Sequence, residues 1–332
     1  MTKTDFIANA IKACEVLLTA RVSDVEEPGG SGRDSLRMRV GDRPVITTHR
    51  SKSVRSYLEV NVLRALHAHG APVPRILAFD GTWLNQEDLG ACRLSQMLSG
   101  VSRSEGETWL ARALDGLGAT HRAGRADGMK TRVARIGEAL DWRRELVAMP
   151  ARLSRHLGLS APPLAEQALA EFIRIREPWL IKWDARPGNA IARDDGTVTW
   201  FDWEHCGARN RLDDVAWLLC DEFIADWPTV EEALLNRYLR RFDDGVEPDS
   251  ASTYLSIFGT FHICVRLGLI LDYKEDGPWW SLKDCLENDR AGVTRDAAHG
   301  LCARAARWAS RASLTHALVP WFETVDRRLD EL

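Results

Sequence analysis

Asp184-Ala185-Arg186-Pro187-Gly188-Asn189, followed by a polar turn and then Trp200-Phe201-Asp202-Trp203, is the stretch that decides how this chain reads. Two acids and an amide are spaced D-x-x-x-x-N…D. Phosphoryl transfer needs such a set. One carboxylate takes or orients the proton of an attacking hydroxyl, while an amide oxygen and a second carboxylate hold Mg²⁺ against nucleotide phosphates. Trp179-Leu180-Ile181 is a short apolar run leading into Asp184, Asp194-Asp195-Gly196 is a hairpin-turn signal, and Thr197-Val198-Thr199-Trp200-Phe201 reads as a strand. Asp184, Asn189 and Asp202 are therefore expected to border one β-hairpin, where hard oxygen ligands can converge at the short range Mg²⁺ demands. Taken singly, each reads equally well as a helix cap or an Asx-turn. The weight lies in the ordered set: acid, Pro-Gly-Asn, hairpin, strand, acid.

Three segments in this order, Lys182 to Asn189, Phe201-Asp202-Trp203-Glu204 and Asp213-Asp214-Val215-Ala216-Trp217-Leu218-Leu219, resemble the aminoglycoside phosphotransferase and choline kinase-like family. That family shows H-G-D-x-x-P-x-N, I-D-W-E and D-x-A-x-L-L. Upstream, Glu59-Val60-Asn61-Val62-Leu63-Arg64-Ala65-Leu66 is similar to the family's helix C with its acid, and Gly70-Ala71-Pro72-Val73-Pro74-Arg75-Ile76-Leu77 to the strand entry that follows. Gln86-Glu87-Asp88-Leu89-Gly90 resembles the interlobe hinge, and Leu117-Gly118-Ala119-Thr120-His121 the end of a helix. The matches run in family order from about residue 25 to about residue 220.

The resemblance implies an α+β, bilobal protein-kinase-like fold. A small N-terminal β-sheet lobe with helices (residues 1–88) would bind nucleotide, and a larger, mostly helical lobe (89–332) would carry catalysis and the acceptor. It implies ATP (or GTP) and Mg²⁺ as cofactors and a small-molecule hydroxyl as acceptor, such as an aminoglycoside, a sugar or an amino alcohol. By resemblance Asp184 orients the acceptor hydroxyl, Asn189 and Asp202 hold Mg²⁺, and backbone near Glu87 and Leu89 meets the base. Asp214 would anchor the catalytic loop or cap the following helix.

The chain departs from the family pattern at two places. Lys182 stands where a histidine is expected two residues before the catalytic acid. Lysine there could be tolerated, add a phosphate contact or mark lost activity. On the third strand, Arg43-Pro44-Val45-Ile46-Thr47-Thr48-His49-Arg50 lacks the lysine that would pair with the helix-C acid, Glu59. His49 and Arg50 alternate in direction, so one of them alone faces the cleft. Arg50 is the stronger candidate because it is permanently charged and binds phosphate as a fork. The alternative these departures raise is a non-catalytic, pseudokinase-like nucleotide-binding or regulatory module. Retention of Asp184, Asn189 and Asp202 opposes it.

Pro28-Gly29-Gly30-Ser31-Gly32-Arg33-Asp34-Ser35 lies between two short strand-like runs. Its glycines would let backbone N–H groups approach phosphate oxygens, and Ser31 adds a hydroxyl, so Gly30, Ser31 and Gly32 are expected to cover the phosphates. It is not a P-loop, because no G-K-[ST] follows.

Composition bounds the rest. The 332 residues suffice for two lobes, and 45% apolar with 28% charged residues is ordinary for a globular chain. A net charge of −4 gives no electrostatic footprint for nucleic acid. The N-terminus shows no apolar signal region, and no uninterrupted apolar run reaches spanning length, so a cytoplasmic protein without membrane insertion is expected. The 7 cysteines are dispersed without C-x-x-C spacing, which fits reduced thiols rather than disulfides or zinc. Helical spacing is expected over residues 5–20, 53–69, Val230 to Phe242, Ser252 to Tyr273 and Ala297 to Leu329. The Gly100–Gly106 and Gly124–Gly128 stretches are expected to be connectors. His262 and Arg266 share a helical face, open to a substrate contact or to a solvent-facing or capped position. Among the 13 tryptophans, Trp279 and Trp280 could stack on a sugar or hold a cation, although core packing is the commoner use of such a residue.

Overall fold

The computed structural model describes residues 2–28, 33–239 and 248–332. Gly30, Ser31 and Gly32 lie outside the described residues.

Strict alternation builds the small lobe. In β2 (Ser35–Val40) Leu36, Met38 and Val40 are buried while Arg37 and Arg39 face the other way. β1 (Val22–Glu26), β2, β3 (Arg43–His49), β4 (Ile76–Phe79) and β5 (Trp83–Glu87) form one antiparallel sheet in the order β1-β2-β3-β5-β4. α1 (Lys3–Leu18) is started by a capping box, with Thr2 and Asp5 satisfying each other's backbone N–H. Its Ala10 and Cys14 close a compact core with Leu36, Met38, Val45 and Trp83.

α2 (Ser53–Ala68) carries Glu59, yet its Val62, Leu63 and Leu66 belong to the core of the larger lobe. It therefore packs with the helices as well as with the sheet. Beyond β5 come α3 (Leu94–Met97), α4 (Arg103–Ala126), α5 (Leu140–Val147), α6 (Met149–Leu157) and α7 (Glu166–Phe172). After the central strands follow α8 (Leu212–Leu219), α9 (Pro228–Tyr238), α10 (Pro248–Lys274), α11 (Leu282–Glu287), α12 (Arg295–Ala309) and α13 (Leu318–Leu329).

Two short two-stranded antiparallel sheets are set into this helical body. β6 (Trp179–Ile181) pairs with β9 (Gly207–Arg209), and β7 (Ala190–Ala192) pairs with β8 (Val198–Trp200). Gly196, at φ +81°, closes the β7–β8 turn as the Asp-Asp-Gly signal requires.

Three expectations are corrected here. The Gly100–Gly106 and Gly124–Gly128 stretches are not both connectors. Ser102 and Glu105 form a capping box, and α4 runs from Arg103 through Gly106 and Gly124. A Cβ on Gly124 would stand 2.8 Å from the Leu180 side chain, so the residue is there for close approach, not for breaking the helix. Ala297 to Leu329 is two helices, interrupted by a 3-10 turn at Ser313–Thr315 and folded back on each other. Lastly, α10 is long and apolar enough to cross a membrane, but 83% of that apolar window is buried inside the fold, so its composition is that of a core helix.

Candidate active site

The loop that follows β6 takes an unusual backbone conformation. Trp183 and Asp184 both take positive φ, +49° and +77°, which a non-glycine residue adopts only where its surroundings hold it. Asp214, fully buried at the start of α8, supplies that hold. Its carboxylate accepts from the Lys182 N–H at 2.8 Å and the Trp183 N–H at 2.9 Å, and His121 Nε2 lies 2.8 Å from it. Asp214 is thus the loop anchor.

Pro187 opens a 3-10 turn that ends on Asn189. Asn189 Nδ2 then donates to the Asp184 carboxylate at 2.8 Å and to its carbonyl at 3.1 Å. With its NH₂ committed to Asp184, the amide oxygen of Asn189 is turned elsewhere. The Phe201 N–H donates to the Asn189 carbonyl at 3.1 Å, which ties the loop to the residue before Asp202. Asp202 itself takes φ +59°. The hairpin joins Asp184, Asn189 and Asp202 as one unit.

Arg50 enters from the small lobe. His49 turns instead onto Trp83 and Phe6, with ring centroids 4.9 and 6.4 Å away, so strand alternation sends Arg50 into the cleft. The guanidinium pairs with Glu59 at 3.0 Å, Asp202 at 2.7 Å and Glu204 at 3.0 Å. Glu59 also accepts the Trp203 N–H at 3.0 Å. Burial alone would lower the pKa of Arg50, but the Glu59, Asp202 and Glu204 carboxylates outweigh it and hold it firmly charged. Burial pushes Glu59 up from the usual carboxylate range, against the pull of Arg50. Asp202 is also desolvated, yet Arg50 and Lys182 bring it below that range. Asp184 is raised by burial, with Lys182 and Arg186 opposing.

A cavity of about 470 Å³ opens between the lobes. Arg50, Asn189 and Asp202 line it, as do Glu87 and Leu89 of the segment joining the lobes. Glu59 is buried behind Arg50, and Asp184 is joined to the cavity wall through Asn189. An unanticipated wall comes from the far end of the chain, where Leu286 and Asp289 border the cavity. The Asp289 carboxylate pairs with Arg93 at 2.8 Å and Arg33 at 3.1 Å.

The donor set fits Mg²⁺. Asn189 and Asp202 offer hard oxygens on one cavity wall, and among the described residues no group of three or more His, Cys, Asp or Glu could hold a metal alone. Two protein ligands completed by phosphate and water oxygens is how this ion is held at phosphoryl-transfer sites.

Several residues here were not anticipated. Arg186 bonds Asp221 at 2.7 Å and Glu222 at 3.1 Å, and Arg266 bonds the other side of Glu222 at 2.8 Å. His262 and Arg266 are accordingly buried and internal, not solvent-facing, and neither lines the interlobe cavity. Lys182 is fully buried and does not line the cavity, so the structure does not place it against a phosphate. Cys206 is a buried thiol raised far above its usual range by burial.

Residues 26–251 match the model of the phosphotransferase enzyme family, and the chain belongs to that family. None of the curated proteins compared matches it in sequence. Solved structures share its fold. A spectinomycin phosphotransferase in complex with ADP and spectinomycin is 10% identical at a TM-score of 0.59, covering 90% of this chain and 98% of its own. The amicoumacin kinase hAmiN in complex with AMP-PNP, Ca²⁺ and Ami is 14% identical at a TM-score of 0.58, covering 99% and 96%. The choline kinase LicA from Streptococcus pneumoniae is 14% identical at a TM-score of 0.50, covering 91% and 100%.

Proposed function

We propose that this chain is a kinase of small molecules that moves the terminal phosphoryl group of ATP (or GTP) to an acceptor hydroxyl in a Mg²⁺-dependent reaction. One observation carries the reading: Asp184, Asn189 and Asp202 are locked into a single hydrogen-bonded unit at a cavity that Arg50 enters from the other lobe. Bound at Asn189 and Asp202, Mg²⁺ would neutralise charge on the transferring phosphoryl group.

The roles of the side chains follow from their chemistry. Asp184, held by Asn189 and by its left-handed backbone, orients the acceptor hydroxyl and accepts its proton. Arg50, fixed by Glu59, presents a permanent cation where the nucleotide phosphates would lie. The backbone at Glu87 and Leu89 lines the cavity where a purine base would sit. In a loose phosphoryl-transfer transition state, positioning and charge neutralisation supply most of the rate, and this site is built from such elements. The nucleotide would be held by residues 1–88, and the acceptor by 89–332. Aminoglycosides, sugars and amino alcohols are the acceptor classes to test first.

The test is a screen of purified protein with MgATP against a metabolite library, reading a mass gain of one phosphate and stoichiometric ADP. Asp184→Ala and Asp202→Ala are expected to lower kcat by about a hundredfold to ten-thousandfold while the fold is retained. Near-parental turnover in either variant would overturn the assignment.

A further inference from the structure

Lys182 marks the chain's departure from its family's histidine, and its side chain is 0% exposed. An ammonium withdrawn from water must have its donors met. Its Nζ donates to the main-chain carbonyl of Asp202 at 2.7 Å and to that of Asp184 at 3.2 Å. The indole ring of Trp203 lies 5.9 Å from it, within cation–π range. Both acceptor carbonyls belong to residues in left-handed backbone, Asp184 at φ +77° and Asp202 at φ +59°. For non-glycine residues such conformations cost about 1 kcal/mol or more each and persist where neighbours fix them. The two carbonyls lie on separate segments, one before the β7–β8 hairpin and one after it. The same charge favours the ionised forms of both side chains.

We propose that Lys182 is a positioning residue, a staple that sets the distance and orientation between the Asp184 and Asp202 carboxylates by holding their two backbone carbonyls on one ammonium. What those carboxylates do rests on the phosphotransferase reading above; the staple itself does not. A lysine carries three donors on a flexible stem and can span two carbonyls from the interior. A neutral histidine ring has a single N–H donor and so cannot hold both carbonyls at once. The substitution of lysine for histidine is thus a different solution to placing the catalytic acid, made from the inside of the loop.

The test compares Lys182→Met, which keeps the stem and removes every donor, with Lys182→Arg, which restores donors. A misplacement of about 1 Å costs on the order of a hundredfold in rate, so Lys182→Met is expected to lower kcat by about that factor. The KM for ATP should stay within about threefold, because only the transition-state arrangement is disturbed. Amide hydrogen exchange should quicken by about tenfold in residues 183–189 and 201–204 together, with the rest of the large lobe unchanged. Lys182→Arg should recover at least part of the lost kcat. A folded Lys182→Met with parental kcat, or with only one of the two segments loosened, overturns the proposal. If that variant does not fold, Lys182→Gln, too short to span both carbonyls, takes its place with the same expected and overturning results. A parent protein that transfers no phosphate refutes the reading of the site, and the exchange comparison then decides the staple alone.

Discussion

Removing the Arg50 guanidinium is the most informative perturbation of the interlobe site. Glu59 is 1% exposed and has Arg50 and the Trp203 N–H as its partners. Arg50→Met strands that carboxylate in the interior, opposite Asp202 and Glu204. Breaking a buried pair by deleting one partner costs about 3–5 kcal/mol, since the remaining charge is uncompensated. The group escapes part of this by taking a proton. Burial already raises Glu59. A carboxylate with a raised folded value destabilises the native state at pH above that value, and the penalty fades as pH falls through it. The Arg50→Met penalty is therefore expected to be larger at pH 7 than at pH 5. Glu59→Gln removes the stranded charge, so the double variant should recover about 2 kcal/mol or more relative to additivity. Urea unfolding of the four proteins at both pH values gives the cycle. A cost below about 1 kcal/mol at pH 7, or strict additivity with Glu59→Gln, would refute the pairing as described.

Two further outcomes follow from the buried titratable groups. Because burial raises Asp184, and its proposed role requires the ionised form, the acid limb of kcat should inflect above the ordinary aspartate value of about 4; a pH–rate profile with its inflection at or below that value counts against this role. His262, its ring tilted against Trp217 with centroids 4.3 Å apart, is lowered by burial and by Arg266 to about 3 from 6.5 and so stays neutral in the fold. Its contribution to stability is present above pH 6.5 and lost as pH falls toward 3, so relative to His262→Phe the parent should lose about 2 kcal/mol between pH 7 and pH 5. Equal pH slopes in urea unfolding would contradict this.

The D-x-x-x-x-N…D spacing was readable because its logic is local. Asp184, Asn189 and Asp202 flank one hairpin, and Asp-Asp-Gly marks its turn. Arg50 was readable from strand alternation, and Asp214 from its motif. What sequence could not show is long-range or backbone-borne. The Arg186–Glu222–Arg266 ion network joins residues 36 and 44 positions apart, and Asp289 reaches Arg33 across 256 positions. The role of Lys182 depends on carbonyls presented by positive-φ residues, which no side-chain pattern reveals. Gly106 and Gly124 looked like linker residues because glycine disfavours helices, yet a Cβ at Gly106 would strike Trp227 and one at Gly124 would strike Leu180. Tertiary packing overrode local propensity at both. The break between α12 and α13 had one available signal, Pro320, which a helix accepts in its first turn but not in its middle.

The central claim is that the Asn189 and Asp202 side chains meet a divalent ion and a triphosphate in the interlobe cavity. A crystal structure with Mn²⁺ and a non-hydrolysable ATP analogue tests it most directly, since Mn²⁺ substitutes for Mg²⁺ at oxygen sites and its anomalous signal fixes the ion's position. The account predicts a peak bound by Asn189 and Asp202, with the Asp184 carboxylate turned toward the acceptor side of the terminal phosphate. A nucleotide bound elsewhere, or an ion touching neither of those two side chains, would contradict it.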